Sequence, residues 1–256
     1  FFTDNLHSFI EAGGDFDKAM EIIRKKGQAV AAKREDRDAA EGCVLAKTEG
    51  NFAAVVALQC ETDFVAKNED YIALTEQILD AAMINKPATI DELLAIELGN
   101  GTVAQIITDK MAATGEKMEL GYYEYITASY VTSYIHMGNK LATIVGFNKA
   151  VSDEQVAKDI AMQVAAMNPV SVSVEGIPAE IKEKELEIAR EKAREAGKPE
   201  NLLDRIAEGA LQKFYKESTL LQQEYVKDSK KSIEQFMKES DKELEVTEFK
   251  RVSLTV

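Results

Sequence analysis

The chain has 256 residues, 45% of them hydrophobic and 30% charged, which is enough to build one large globular domain or two to three small ones. Its formal net charge of −14 argues against nucleic-acid binding as the main business, because gripping phosphates needs a dense basic face. No apolar run reaches the length of a membrane span and no signal peptide is recognisable, and the first residue is Phe rather than Met, as in a fragment or a trimmed chain.

Residues 1–40 read as helical. Leu6, Phe9 and Ile10 share a face, Gly13-Gly14 breaks it, and Asp15 can cap a second helix. Phe16, Ala19, Met20 and Ile23 then recur at helical spacing up to Arg24-Lys25-Lys26-Gly27, where a basic last turn followed by Gly reads as a helix end. Two short helices bury little surface, so a third helix is expected upstream. Gln28 to Arg37 reads as a helical linker whose Lys33, Arg34 and Arg37 are most simply a solvated face; RNA contact is the sharper alternative.

Residues 42–60 read as a β-hairpin, with strands at Cys43–Ala46 and Phe52–Leu58 and a turn at Glu49-Gly50-Asn51. The two cysteines, Cys43 and Cys60, flank it at opposite ends with no CxxC and no histidine cluster. Two buried, reduced thiols in a cytosolic chain are the plainer reading, and the sequence leaves a disulfide open.

The next ten residues, Glu61 to Asp70, stand where a strand ends and a helix begins. Thr62 fits an N-cap, and Asp63 in the first turn suits the positive end of the helix dipole. Phe64 beside it is either a wedge for a partner or a residue folded inward. Pattern alone favours the inward reading, because Phe is usually buried.

A helix lined by Tyr71, Leu74, Ile78 and Ala82 comes next, then Pro87, a short helix from Asp91, and a helix capped by Thr102 and stopped by Gly115. A second unit begins near Tyr123. Ile126 to Ile135 is strand-like, Met137-Gly138-Asn139 turns, and Leu141 to Phe147 returns. A helix then runs through Val156, Ile160, Val164 and Met167, capped by Ser152 or Asp153 and stopped by Asn168-Pro169. Hairpin, turn and helix repeat the plan of residues 42–83, and both turns carry Gly-Asn, so a weak internal duplication is expected.

Residues 180–216 change character. Leu186, Ala189, Ala193 and Ala196 sit at heptad-like spacing among many charges, Gly197-Lys198-Pro199 reverses the chain, and Leu203, Ile206, Ala207, Ala210 and Phe214 line a return helix. Such an antiparallel pair has too few large apolar groups for a full core and reads as a projecting insertion. Beyond it, Ser229 or Ser232 caps a helix with Ile233, Phe236 and Met237, and Val252, Leu254 and Val256 alternate as in a strand.

Catalytic and ligand motifs are missing: there is no GxxxxGK[ST], GxGxxG, HExxH or GxSxG. Of the histidines His7 and His136, the second lies beside a turn with no second metal-binding residue near it, so a surface histidine is the plain reading.

Thr62-Asp63-Phe64-Val65-Ala66-Lys67-Asn68 resembles the signature of the bacterial elongation factor Ts family. Gly14-Asp15-Phe16-Asp17-Lys18-Ala19 with Ile23-Arg24-Lys25-Lys26-Gly27, Glu41-Gly42, Tyr134-Ile135-His136 with Gly138, and Gly197-Lys198-Pro199 resemble further family segments in the right order. The resemblance implies an α+β chain. Residues 1–40 would be an incomplete UBA-like (ubiquitin-associated-like) helical module. A duplicated α+β core with antiparallel sheets would come after it, residues 41–121 forming its N-terminal subdomain and 122–179 with 217–256 its C-terminal one. Residues 180–216 would be an inserted coiled-coil hairpin.

The resemblance further implies a cytoplasmic guanine-nucleotide exchange factor for elongation factor Tu. It would need no cofactor or metal, hold no nucleotide itself, have no catalytic chemistry of its own, and bind neither membrane nor nucleic acid. Thr62, Asp63, Phe64 and Val65 would be the stretch that disturbs the partner's magnesium and phosphate site, with Phe64 as the wedge, which reverses the inward preference. His136 and Gly138 would contact another domain of the partner. A binding or adaptor module without exchange activity is the rival. Two departures stand out. Phe1-Phe2-Thr3 occupies the place of the family's Thr-Gly-x-Gly-Met-Met loop, and Asn139-Lys140-Leu141-Ala142 replaces a more usual Gly/Arg/Ile/Gly pattern.

Overall fold

The computed structural model describes residues 2–34 and 36–255, without the side chains of residues 2–6 and 31. The expected faces at Leu6 and Val256 and the departure at Phe1 therefore lie outside the described residues. The chain is a mixture of helix and antiparallel sheet, as an α+β fold requires. It divides into two compact units: Phe1–Tyr125 with Ile135–Ile144 and Val252–Val256, and Ile126–Tyr134 with Val145–Arg251.

In the first unit, α1 (Phe2–Glu11) ends at Gly13 and Gly14, both with positive φ, and the Asp15 carboxylate accepts from the Lys18 amide at the start of α2 (Phe16–Lys33). The expected stop at Gly27 is corrected, since α2 runs through it for six more residues. Gly27 is buried against α6 (Val103–Thr114), and a Cβ there would stand 2.3 Å from the Thr108 carbonyl oxygen. The glycine lets two helices approach closely. A second correction concerns Phe16, expected on the buried face with Ala19. Ala19 is buried, but Phe16 is 60% exposed.

Strands β1 (Glu41–Glu49) and β2 (Phe52–Cys60) pair antiparallel from Glu41 opposite Cys60 to Glu49 opposite Phe52, with Gly50 at φ 59 in the two-residue turn. Strand β2 is central, flanked by β1 and β3 (Met118–Thr127), and seven of its nine residues in succession are buried. A strand covered on both faces loses the apolar–polar alternation. The strand expected at Ile126–Ile135 is corrected. The strand is interrupted at residues 128–129, β3 completes the first sheet, and β4 (Tyr130–Ile135) forms the second with β5 (Leu141–Phe147) and β8 (Val246–Ser253), in the order β4-β5-β8.

Helix α3 (Asp63–Ala66) is a single turn, and α4 (Glu69–Asn85) is capped anew by Asn68. Helix α4 buries Tyr71, Leu74, Ile78 and Ala82 on the predicted face, and the Tyr71 hydroxyl donates to the Leu58 carbonyl at 2.7 Å. After α5 (Ile90–Leu94), Thr102 and Gln105 close a capping box on α6, and Gly115 at φ 73 ends it. Leu58, Tyr71, Ile78, Leu93 and Val103 lie together in one core.

In the second unit, α7 (Glu154–Met167) is capped by Asp153 and stopped by Asn168 at φ 43. Helices α8 (Ala179–Glu195) and α9 (Leu203–Ser218) lie antiparallel, Arg190 pairing with Asp204 and Arg194 with Glu200, and Gly197 takes φ 72 at the reversal. Strands β6 (Glu224–Tyr225) and β7 (Asp228–Ser232) make a small ribbon, and Ser232 caps α10 (Ile233–Ser240). Strand β8 (Val246–Ser253) begins earlier than the expected alternation at Val252. Phe147, Ile160, Val164, Leu220, Ile233 and Leu244 form the core of this unit. Among the described residues no helix is long and apolar enough to cross a membrane.

Candidate functional site

Thr62 sits at the exit of β2, where the buried strand emerges. All of its polar groups are engaged. Its amide donates to Glu116 Oε2 at 3.1 Å and its hydroxyl to Glu116 Oε1 at 2.6 Å. The same hydroxyl accepts from the Val65 amide at 3.4 Å, the N-cap bond of α3. Its carbonyl accepts from the Cys60 thiol at 3.3 Å and the Ala66 amide at 3.2 Å. A four-residue helix cannot hold itself, because nucleation is costly and one cap contributes only about 1 kcal/mol. The bonds from outside the turn therefore fix it.

Glu61 mirrors this arrangement. Its carboxylate accepts the Lys117 amide at 2.7 Å, and its two oxygens share the Arg34 Nη1 at 2.8 and 2.7 Å, with Arg37 3.7 Å away. Only 9% of the Glu61 side chain is exposed. Burial acts to raise its pKa, but the Lys117 amide and the two arginines outweigh it and hold the carboxyl below its usual range. This corrects the reading of Arg34 as part of a solvated face, while Lys33 and Arg37, the latter 65% exposed, remain on one. Backbone amide 62 goes to Glu116 and backbone amide 117 goes to Glu61, a reciprocal clamp between two short segments.

From this base the next three residues diverge. Val65 packs half-buried against the core of the first unit. The Asp63 carboxylate accepts from Lys67 at 2.7 Å, an i,i+4 pair. That bond, opposed by slight burial and aided by the charge of Lys140, lowers its pKa. Phe64 points into solvent, 84% exposed. Leaving a Phe in water forgoes about 1.5–3 kcal/mol of burial, so its exposure on a braced turn points to an external surface.

The second predicted stretch belongs to the same unit. In the turn between β4 and β5 (Leu141–Phe147), the His136 amide donates to the Leu141 carbonyl at 2.8 Å, and the Asn139 amide to the His136 carbonyl at 3.1 Å. His136 and Gly138 are exposed, with Gly138 at φ 92, and Asn139 adopts φ 54 where glycine is usual in the resembled pattern. Asn is among the few side chains that tolerate this region. The turn lies on β1, because the Val44 amide donates to the Asn139 carbonyl at 2.7 Å and Lys140 pairs with Glu41. Met137, 91% exposed, was not singled out by its sequence context. The structure thus brings Thr62, Asp63, Phe64 and Val65 into one unit with His136 and Gly138.

Cys43 and Cys60 are buried free thiols. The register places both at the open end of the hairpin rather than at opposite ends. Burial pushes the Cys43 thiol up to about 11 and raises that of Cys60. Among the described residues no group of three or more His, Cys, Asp or Glu side chains is arranged to hold a metal.

A family profile described as Elongation factor TS matches residues 61–255. An elongation factor Ts of Porphyromonas gingivalis is 64% identical over 252 residues, covering 98% of this chain and 92% of that protein. That of Azobacteroides pseudotrichonymphae is 53% identical over 253 residues, covering 99% and 92%. That of Parabacteroides distasonis is 44% identical, covering 98% and 93%. The profile begins at Glu61, the first residue of the clamped stretch, and these relatives span nearly the whole chain. This chain belongs to the elongation factor Ts family, the nucleotide exchange factors of translation elongation.

Proposed function

We propose that this exchange factor binds elongation factor Tu in the cytoplasm through its first unit, with Thr62, Asp63, Phe64 and Val65 addressing the partner's nucleotide domain and His136 with Gly138 a second surface. Phe64 enters the partner as a wedge and disturbs the site that holds magnesium and phosphate. The observation that carries this reading is the exposed Phe64 ring on a turn whose base is tied by Glu116. Asp63, held as a carboxylate beside it, adds a charge to the same approach.

The physics is differential binding. A factor that binds nucleotide-free partner more tightly than nucleotide-bound partner weakens nucleotide binding by the same ratio. Equal affinity for both states would shift nothing. The chain then needs no catalytic group, metal or bound nucleotide of its own. Residues 1–40 serve as the UBA-like module. Residues 41–121 serve as the N-terminal core subdomain, and 122–179 with 217–256 as its duplicate. Residues 180–216 form the inserted coiled-coil hairpin. Mixing the chain with elongation factor Tu loaded with a fluorescent GDP analogue tests the proposal. It should accelerate release, and release at the spontaneous rate with saturating chain would overturn it and favour an adaptor without exchange activity.

A further inference from the structure

The wedge reading leaves a mechanical question, because a single helical turn must resist being pushed back when its aromatic enters a partner. We propose that Glu116 is a positioning residue for nucleotide exchange, acting through Thr62 to hold Phe64 at its working angle; the proposal rests on Phe64 being the wedge. Glu116 lies 54 positions from Thr62 in the chain, yet its two carboxylate oxygens take the Thr62 amide and hydroxyl.

Its own placement is built in. Gly115, at φ 73, turns the chain out of α6, the Gly115 amide donates to the Met111 carbonyl at 2.8 Å, and the Glu116 amide donates to the Thr114 hydroxyl at 3.3 Å. Beside it, the Lys117 amide is held by Glu61, itself gripped by Arg34 at the end of α2. Segments 61–62 and 116–117 are thereby cross-tied, and the tie reaches α6. Hydrogen bonds to a charged group are the strong kind, and a carboxylate taking two donors of one residue fixes direction as well as distance. Phe64 has no comparable restraint of its own, being the most exposed member of the turn. Its orientation is therefore inherited from Thr62.

Glu116→Gln keeps the shape but removes the charge: its oxygen can still accept from the Thr62 amide, while its N–H₂ cannot accept from the Thr62 hydroxyl, so that bond is lost or reversed. The test is a cycle of Glu116→Gln, Phe64→Ala and the double variant, each folded by circular dichroism and assayed at saturating concentration for release of fluorescent GDP from elongation factor Tu. Glu116→Gln should slow saturated release about tenfold, the scale of one lost charge-assisted hydrogen bond. The double variant should match Phe64→Ala alone, because a residue that acts through Phe64 has nothing left to position. Unchanged release by Glu116→Gln, or effects that multiply in the double variant, would overturn the positioning role while leaving the wedge in place. Unchanged release by Phe64→Ala would overturn the wedge reading and the positioning role with it. Should Glu116→Gln fail to fold, Glu116→Asp, which keeps the charge but draws the carboxylate back from Thr62, enters the same cycle with the same expectations.

Discussion

Each unit contains a carboxylate that braces the chain at or beside an aromatic, and the two arrangements end differently. In the second unit Asp159 accepts from the Tyr225 hydroxyl at 2.5 Å, from Lys227 at 2.7 Å and from Gln155 at 2.7 Å. Tyr225 is buried and stacks on Phe236 with ring centroids 4.3 Å apart. In the first unit Glu116 anchors Thr62, and the aromatic two residues on stands in water. The network at Asp159 closes on itself, so its whole yield is stability. The network at Glu116 ends on a bare ring, so part of what it fixes can be read only by another molecule. Polar bracing alone does not distinguish scaffold from site; where the braced aromatic finishes does.

The comparison breaks most visibly at Asp159. Asp159→Ala leaves a buried tyrosine hydroxyl without its acceptor and should cost about 2–4 kcal/mol in chemical denaturation, while exchange per folded molecule stays near wild type. A loss of exchange matching that of Phe64→Ala would erase the contrast between the units. Acid should find the same group. Burial acts to raise the Asp159 pKa, but Lys227, Tyr225 and Gln155 outweigh it, so its folded value lies below the unfolded one. Its stabilisation is therefore complete above the unfolded pKa of about 4 and is lost as pH falls toward the folded pKa. Asp159→Asn should flatten that part of the stability–pH curve.

Gly27→Ala sharpens the first unit's side. Helix propensity would favour Ala by about 1 kcal/mol. A Cβ 2.3 Å from the Thr108 carbonyl oxygen opposes it, and overpacking of this kind costs about 1–3 kcal/mol. A net loss of stability is expected, and a net gain would show that α2 and α6 yield easily. The smallest effect should come from Lys198→Ala at the reversal between α8 and α9, which should leave both stability and exchange within about 0.5 kcal/mol of wild type.

What the sequence made legible was local. Thr62, Thr102, Asp153 and Ser232 are caps because a short polar side chain can reach back to its own helix, and Gly115 and Asn168 end helices because they accept positive φ. What it hid was tertiary. Gly27 looks like a helix end from its neighbours, and only α6 explains it. Strand β3 joins β2 across a long stretch of chain, so a run of β-branched and aromatic residues could not show where one sheet stops and the next starts. For Phe64 the residue's usual burial pointed the wrong way, and only resemblance corrected it. Glu116 carried no signal at all, since its partner lies 54 positions away.

The most direct measurement is Phe64→Ala, with thermal stability and saturated GDP release from elongation factor Tu recorded on one preparation. An exposed ring contributes little to folding, so stability should stay within about 0.5 kcal/mol of wild type. Release should slow at least tenfold, about 1.4 kcal/mol or more of lost coupling. A variant that loses stability while its folded fraction exchanges at the wild-type rate would contradict the account, because Phe64 would then serve the fold and not the partner.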